Sequence, residues 1–360
     1  MGAAEAHRMD GKMKKKLEDV ISKEFKGLWG TDFSDDGIPV IKTNNMTYEG
    51  RIDFSDICVR NIPYKEAENN FLKKGDLIIE KSGGTKTHSV GYVNIFEGED
   101  DKYVCNNFIL PLRPNTEIVF PKYLFWQLHG MYEAGRFSDC YNKTTGIQNL
   151  QKKTYFSKDI NIPPLPDQQK IAAHLDKIQS AIDNKKRQLS LLDEAVKSKF
   201  VEMFGDVIQN TKNWELKNFP EIANSRLGKM LDSKKQTGKE KYPYLANFNV
   251  QWFRFNLENL NEMDFSEADR IEFSLKDGDL LVCEGGEVGR CAVWHNQIEN
   301  CFFQKAVHRV RLNKELIHPD YMAFWFKFRS DFNSFDDIVG SKSLLSKKSR
   351  GFLKSVICGR

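Results

Sequence analysis

The chain has 360 residues and a formal net charge of +4, with 40% hydrophobic, 12% aromatic and 29% charged residues; this length allows two or three domains, each able to build a core. No apolar run approaches the ~20 residues of a membrane span, no secretory n-region and h-region opens the chain, and so no membrane partner is expected. Seven cysteines, an odd number without paired spacing, argue against a disulfide framework and for a reducing, cytoplasmic setting.

In chain order, residues 1–15 are small and polar and read as a disordered leader. A first domain is expected over residues 16–162. In it Lys73-Lys74-Gly75-Asp76 leads into Leu77-Ile78-Ile79-Glu80 and then Gly83-Gly84, which reads as a turn, a short buried strand and a glycine loop. A strand-like run follows at Asn107 to Leu112. Pro121-Lys122-Tyr123-Leu124-Phe125-Trp126 then opens an aromatic-rich helix, and Thr145-Gly146-Ile147-Gln148-Asn149-Leu150-Gln151-Lys152-Lys153 closes the domain.

A long helix is expected over residues 163–205. Between Asp167 and Phe204 there is neither Gly nor Pro. Ile171, Leu175, Ile178, Ile182, Leu189, Leu192, Val196 and Met203 fall at alternating steps of three and four, with Lys185 and Lys199 interrupting the seam. Pro166 suits the first helical position, and Gly205 can take the left-handed conformation that ends a helix. At 1.5 Å per residue the rod would be roughly 55–60 Å long. Its stripe needs a partner.

A second domain, expected over residues 206–357, repeats the first. Lys276-Asp277-Gly278-Asp279 leads into Leu280-Leu281-Val282-Cys283-Glu284 and Gly285-Gly286. Lys305 to Leu312, then Pro319-Asp320-Tyr321, then Gly340-Ser341-Lys342-Ser343 with Lys347-Lys348 match their counterparts in the first domain. One duplication at an offset that stays near 200 residues is not a solenoid.

Asn161-Ile162-Pro163-Pro164-Leu165-Pro166-Asp167-Gln168-Gln169-Lys170-Ile171 resembles the start of the central helix in specificity subunits of type I restriction–modification systems. The Lys-x-Gly-Asp strand with its glycine loop, and the Thr-Gly-Ile-Gln-Asn-Leu-Gln-Lys-Lys loop, resemble the target recognition domains of that family. The resemblance implies a mixed α/β fold, with two similar recognition domains joined by one long coiled-coil-forming helix. It implies a non-catalytic subunit that reads a bipartite sequence in double-stranded DNA. Methyltransferase subunits and a restriction/translocase subunit would dock on it, carrying S-adenosylmethionine, ATP and Mg; the chain itself needs no cofactor. Domains about 50–60 Å apart would sit about one and a half duplex turns from one another. A complete member of the family carries a second conserved helix after its second recognition domain. This sequence ends where that helix would begin and is expected to be truncated, its seam covered by a second copy or by a separate helix.

The resemblance and the loop chemistry together pick the candidate DNA contacts. Gly83, Gly84, Thr85 and Lys86 in one domain, and Gly285, Gly286 and Arg290 in the other, combine close backbone approach with a cation. Thr145, Gly146, Gln148, Lys152 and Lys153, and Ser341, Lys342, Lys347 and Lys348, supply hydroxyls, an amide and lysines for phosphates and base edges. The bland alternatives are ordinary turns and capped helix starts. Lys229, Lys234, Lys235, Lys239 and Lys241 read as a solvated face, and Trp252, Phe253 and Phe255 as core. Cys291, His295, Cys301 and His308 lack the knuckle spacing of a zinc site, and no metal site is expected. Pro166-Asp167 with Asp183-Asn184-Lys185 formally matches a nuclease signature, yet these residues lie along one helix. The rival reading is a stand-alone metal-dependent DNA nuclease or modifying enzyme, which would show a titratable cluster in a cleft.

Overall fold

The computed structural model describes residues 13–85, 88–144, 147–232, 236–332 and 354–357. The chain forms two compact units, Met1–Lys186 and Arg187–Arg360.

The first unit begins with β1 (Met13–Lys16), which pairs antiparallel with β12 (Asp159–Ile162). Met13, Lys14 and Lys15, expected in the leader, are therefore part of a sheet: an extended segment is held when a neighbouring strand takes up its backbone groups. β2 (Ile21–Glu24), β3 (Thr31–Ile41), β4 (Cys58–Asn61) and α1 (Tyr64–Ala67) follow. Then come β5 (Leu77–Glu80), β6 (Ser82–Gly83), β7 (Val93–Ile95), β8 (Val104–Cys105) and β9 (Ile109–Pro114). One sheet has the order β2-β9-β5-β7 and a second the order β4-β3-β8. β5 is buried on both faces, which is why Leu77-Ile78-Ile79 reads as an unbroken apolar run. Leu77 and Ile79 pack toward α2 (Pro121–Glu133), while Ile78 joins the opposite cluster with Ile109, Phe96 and Ile41. β10 (Tyr141–Thr144), β11 (Ile147–Leu150) and α3 (Lys152–Phe156) complete the unit.

α4 (Leu165–Phe204) lies between two sheet-rich domains. It starts one residue before Pro166, and the boundary between the two units falls within it, after Lys186. Gly205 takes φ +77° and donates its N–H to the Val201 carbonyl, ending the helix. The orphaned last carbonyls are satisfied by side chains: Lys212 donates to Glu202 and Met203, and the Trp214 indole to Phe204.

The second unit repeats the first. β13 (Glu215–Asn218), α5 (Phe219–Ile222), β14 (Ala223–Leu227), β15 (Lys241–Leu245), β16 (Val250–Gln251) and β17 (Arg254–Phe255) come first. β18 (Asn261–Asp264), α6 (Glu267–Glu272), β19 (Leu280–Cys283) and β20 (Cys291–Val293) follow. The unit ends with β21 (Phe302–Phe303), β22 (Val307–Leu312), α7 (Pro319–Asp331) and β23 (Lys354–Ile357). Its sheets run β14-β22-β19-β20 and β18-β15-β21, and β13 pairs with β23 as β1 does with β12. Leu280 and Val282 pack toward α7, Leu281 and Cys283 into the opposite cluster.

A buried ion pair makes the repetition explicit. In the Lys-x-Gly-Asp turns, Gly75 and Gly278 take φ +95° and +85°. The N–H of Lys73 then reaches the Asp76 carboxylate at 2.7 Å, and that of Lys276 reaches Asp279 at 2.7 Å. Each carboxylate, 1% exposed, is gripped bidentately by an arginine of the neighbouring strand, Arg113 in one unit and Arg311 in the other. Bidentate geometry makes the pair strong, and losing one partner would strand a buried charge.

Candidate nucleic-acid interface

In the first unit the two stretches singled out from the sequence become one structure. β6 pairs with β11, setting Gly83 opposite Gln148 and Ser82 opposite Asn149, and β11 pairs with β10. The Ser82 hydroxyl meets the Asn149 amide oxygen at 2.7 Å. Gln148 ties the two stretches: its amide oxygen accepts the Val90 N–H at 3.1 Å, and its amide nitrogen donates to the Thr85 carbonyl at 3.2 Å. Both ends of the amide expected to face DNA bond within the hairpin.

The glycines have local reasons. Gly83 has φ +132°, and a Cβ there would lie 2.6 Å from the Glu80 carboxylate; Gly84 has φ +70°, and its Cβ would lie 3.0 Å from the Gln148 amide. Glu80 is 7% exposed and accepts the Gly84 N–H at 3.2 Å. Burial pushes its carboxyl above the usual range, and the Gly84 N–H partly opposes this.

Of the lysines, Lys152 is half-buried and ion-paired with Glu24, whereas Lys153 is exposed. Burial, and then the neighbouring Lys152, push the Lys81 ammonium downward. Lys86, Thr145 and Gly146 lie outside the described residues. Around the hairpin the surface carries exposed Phe108 and Ile147, and Tyr48 stacks on His88 with ring centroids 3.7 Å apart. Lys81, Tyr48, Phe108 and Asn149 stand around the hairpin as well, and none of them was singled out from the sequence. Asn149 stands beside Gln148 and could have been found there; Tyr48 and His88 meet only through the fold.

In the second unit Arg290 turns inward. Its guanidinium donates to the Asn247 carbonyl at 2.9 Å and lies 3.6 Å from Glu287. The backbone explains this: Arg290 follows Gly289 as Tyr92 follows Gly91, and both side chains occupy the same inward position next to the central strand. Gly285 and Gly286 stand beside Glu284 and exposed Glu287, so this loop is acidic where it was expected to carry a cation. Ser341, Lys342, Lys347 and Lys348 lie outside the described residues, as do Lys234 and Lys235. Lys229 does not stand on the solvated face expected for it: its ammonium donates to the Asp264 carbonyl and pairs with Asp269 at 2.7 Å. Phe253, expected in the core, is 44% exposed at the tip of the β16–β17 hairpin with φ +62°. A two-residue turn displaces its central side chains from the sheet's alternation.

The candidate metal and nuclease residues stay apart. Cys291 and Cys301 are buried in different clusters, His308 pairs with Glu284, and exposed His295 sits 3.1 Å from Asp277. Asp183 pairs with Arg51 and accepts from Gln179 on its own helix. Among the described residues, no group of three or more His, Cys, Asp or Glu side chains is placed to hold a metal ion.

The seam of α4 is largely open. Within the first unit Ile171, Ile178 and Ile182 are exposed and Leu175 is half-buried. Within the second, Leu189, Leu192, Val196 and Met203 are exposed, while Phe200 and Phe204 pack on Tyr321 of α7.

Residues 9–193, just over half of the chain, match the model of the type I restriction modification DNA specificity domain. The chain is 23% identical over 329 residues to the specificity subunit of the type I restriction enzyme EcoKI of Escherichia coli K12, covering 86% of this chain and 68% of that one. It is 25% identical to the specificity subunit of the type I restriction enzyme MjaVIII of Methanocaldococcus jannaschii, over 38% of this chain and 33% of that one. The fold is similar to the crystal structure of a type I restriction–modification S subunit from M. genitalium, with a TM-score of 0.55 at 14% identity, covering 96% of this chain and 84% of that one.

Proposed function

The chain belongs to the family of type I restriction modification DNA specificity domains, and from that premise we propose that it is the DNA sequence-recognition subunit of a type I restriction–modification complex. Each unit reads one half of a bipartite duplex target. One observation carries this reading: a common scaffold bears different loop chemistry in its two copies. The buried Asp–Arg pair, the turn glycines and the strand registers coincide. The residues at the loop ends of those strands do not. Lys81, whose N–H reaches the Phe108 carbonyl, corresponds to Glu284, whose N–H reaches Ala306. Glu80 corresponds to Cys283, and Leu110 to His308. Two readers of different half-sites need this division, since backbone contacts position a protein on the duplex while groups at base edges specify.

In this reading the chain does no chemistry and holds no cofactor. S-adenosylmethionine, ATP and Mg belong to the methyltransferase and restriction/translocase subunits that it brings to DNA. The open seam of α4 pairs with the apolar stripe of another helix, in a second copy of the chain or in a separate one. The six described cysteines are buried free thiols, as suits a reducing cytoplasm. No described helix is long and apolar enough to cross a membrane.

Methylation footprinting of the chain assembled with its methyltransferase subunits tests the proposal. Modified bases at two short sequences separated by a fixed gap are expected. Modification at one uninterrupted site, or metal-dependent cleavage of duplex by the isolated chain, would favour the enzyme alternative.

A further inference from the structure

The glycine hairpin of the first unit is shaped from beneath. Its turn closes over Glu80, which is buried at the end of the central strand β5 and accepts the Gly84 N–H. Gly83 leaves room for that carboxylate, since a Cβ would lie 2.6 Å from it. On the other side Gln148 spans the hairpin, bonded to Thr85 at one edge and Val90 at the other, and Gly84 leaves room for its amide. Two polar side chains thus hold the backbone at Gly84, Thr85 and Val90, where the surface carries exposed Thr85 and, alongside it, Ile147 and Phe108.

Burying a carboxyl without a cation is unfavourable, and the twin unit manages without one. At the equivalent position on β19 stands Cys283, whose thiol faces the Asn247 carbonyl. Gly286 stands where Gly83 does, and a Cβ there would meet only the Asn247 amide, 4.0 Å away. The carboxylate is therefore no requirement of the scaffold. It belongs to the shape of one loop.

We propose that Glu80, together with Gln148, is a positioning residue that sets sequence selectivity at the first unit's half-site without touching DNA. The proposal rests on reading the chain as a DNA-recognition subunit. It also changes the role expected for Gln148 from a base contact to an internal brace. The carboxylate acts as an acceptor that orders the Gly84 N–H, and so fixes where Thr85 and the flanking side chains stand over the groove. Because Cys283 replaces it in the second unit, its effect is confined to one half of the target.

The test uses the full chain assembled with methyltransferase subunits, and a pool of duplexes with randomised sequence as the probe, sequenced after retention by the complex. Wild type should select a bipartite consensus. Glu80→Ala should relax one half of it, lowering discrimination there about tenfold, and leave the other half unchanged. Gln148→Ala should relax the same half and carries the test if Glu80→Ala fails to fold. Glu80→Gln, which keeps an acceptor for the Gly84 N–H, should restore the consensus. Equal loss at both halves would assign Glu80 to general stability, and an unchanged consensus in both alanine variants would remove its role; either result overturns the proposal while leaving the recognition reading intact. A wild-type complex that selects no consensus would overturn the recognition reading, and the role of Glu80 with it.

Discussion

At the scale of single residues, the fold decides which charges are available to a partner. Lys152 and Lys153 are neighbours in sequence, but Lys152 is paired with Glu24 and only Lys153 stands exposed. The lysine pair was legible in the sequence; a carboxylate 128 residues away along the chain was not. Replacing both lysines by Ala should weaken binding to all duplexes alike and lower the salt slope by about one. Titration at several salt concentrations measures this, and an unchanged slope would return both lysines to the solvated surface. Glu80 offers a pH test of a different kind. Its folded carboxyl is raised above its unfolded value by burial, so folding disfavours the charged form. The ionised carboxylate therefore opposes folding at neutral pH, and that opposition is relieved as pH falls through the raised folded value. Tyr48, Tyr92 and Tyr132 beside it are raised as well and remain neutral throughout. Thermal melts should show Glu80→Gln more stable than wild type at neutral pH, with the advantage shrinking in mildly acidic buffer. An advantage that is independent of pH would assign it to packing.

At the scale of elements, α4 was the most legible feature and its attachment the least. Heptad spacing and the absence of Gly and Pro identify a helix of this length without any tertiary information. The Gln168-Gln169 pair was visible too, but not which of the two matters. Gln169 is exposed. Gln168 is fully buried: its amide oxygen accepts the Phe120 N–H at 2.8 Å, and its amide nitrogen donates to Pro163 at 2.7 Å and Ile118 at 3.1 Å. It joins the start of α4 to the start of α2, where backbone groups at helix ends and in the linker would otherwise lack partners. Gln168→Ala strands three such groups and should destabilise the first unit by roughly 2–4 kcal/mol; denaturant titration followed at Trp126, whose indole bonds Asp176 of α4, would report it. The exposed seam makes a second prediction. Ile178 and Leu192 are 56% and 60% exposed, and covering each is worth roughly 1.5–3 kcal/mol. Two copies related by a two-fold axis would set each stripe against its own equivalent. The purified chain should then be a dimer by light scattering, and Ile178→Glu with Leu192→Glu should give a monomer whose units stay folded. A wild-type monomer at micromolar concentration with α4 still helical would rule this out.

At the scale of the whole molecule, the duplication was readable because its markers are short, glycine-bearing and held at a nearly constant offset, from Asp76 to Asp279 and from Arg113 to Arg311. The internal pairing of the hairpins was not, because β6 is two residues long and two residues carry no periodicity. The same reasoning makes a prediction about modularity. In each unit the buried Asp–Arg pair, the four-stranded sheet and the helix packed on it are complete within that unit, so neither core depends on the loops of the other. Loop chemistry can then change in one unit without repacking the second, since distant sites without shared partners act additively. Exchanging the residues before Lys158 for those of another family member should alter one half of the selected target and leave the other half as it was. Lys158 is a suitable junction: it precedes β12, whose pairing with β1 moves with the exchange, so the incoming sequence must supply a strand matching Met13–Lys16. Methylation footprinting of the hybrid complex reads both halves at once. A change in both halves, or in neither, would show that the two units do not read DNA independently.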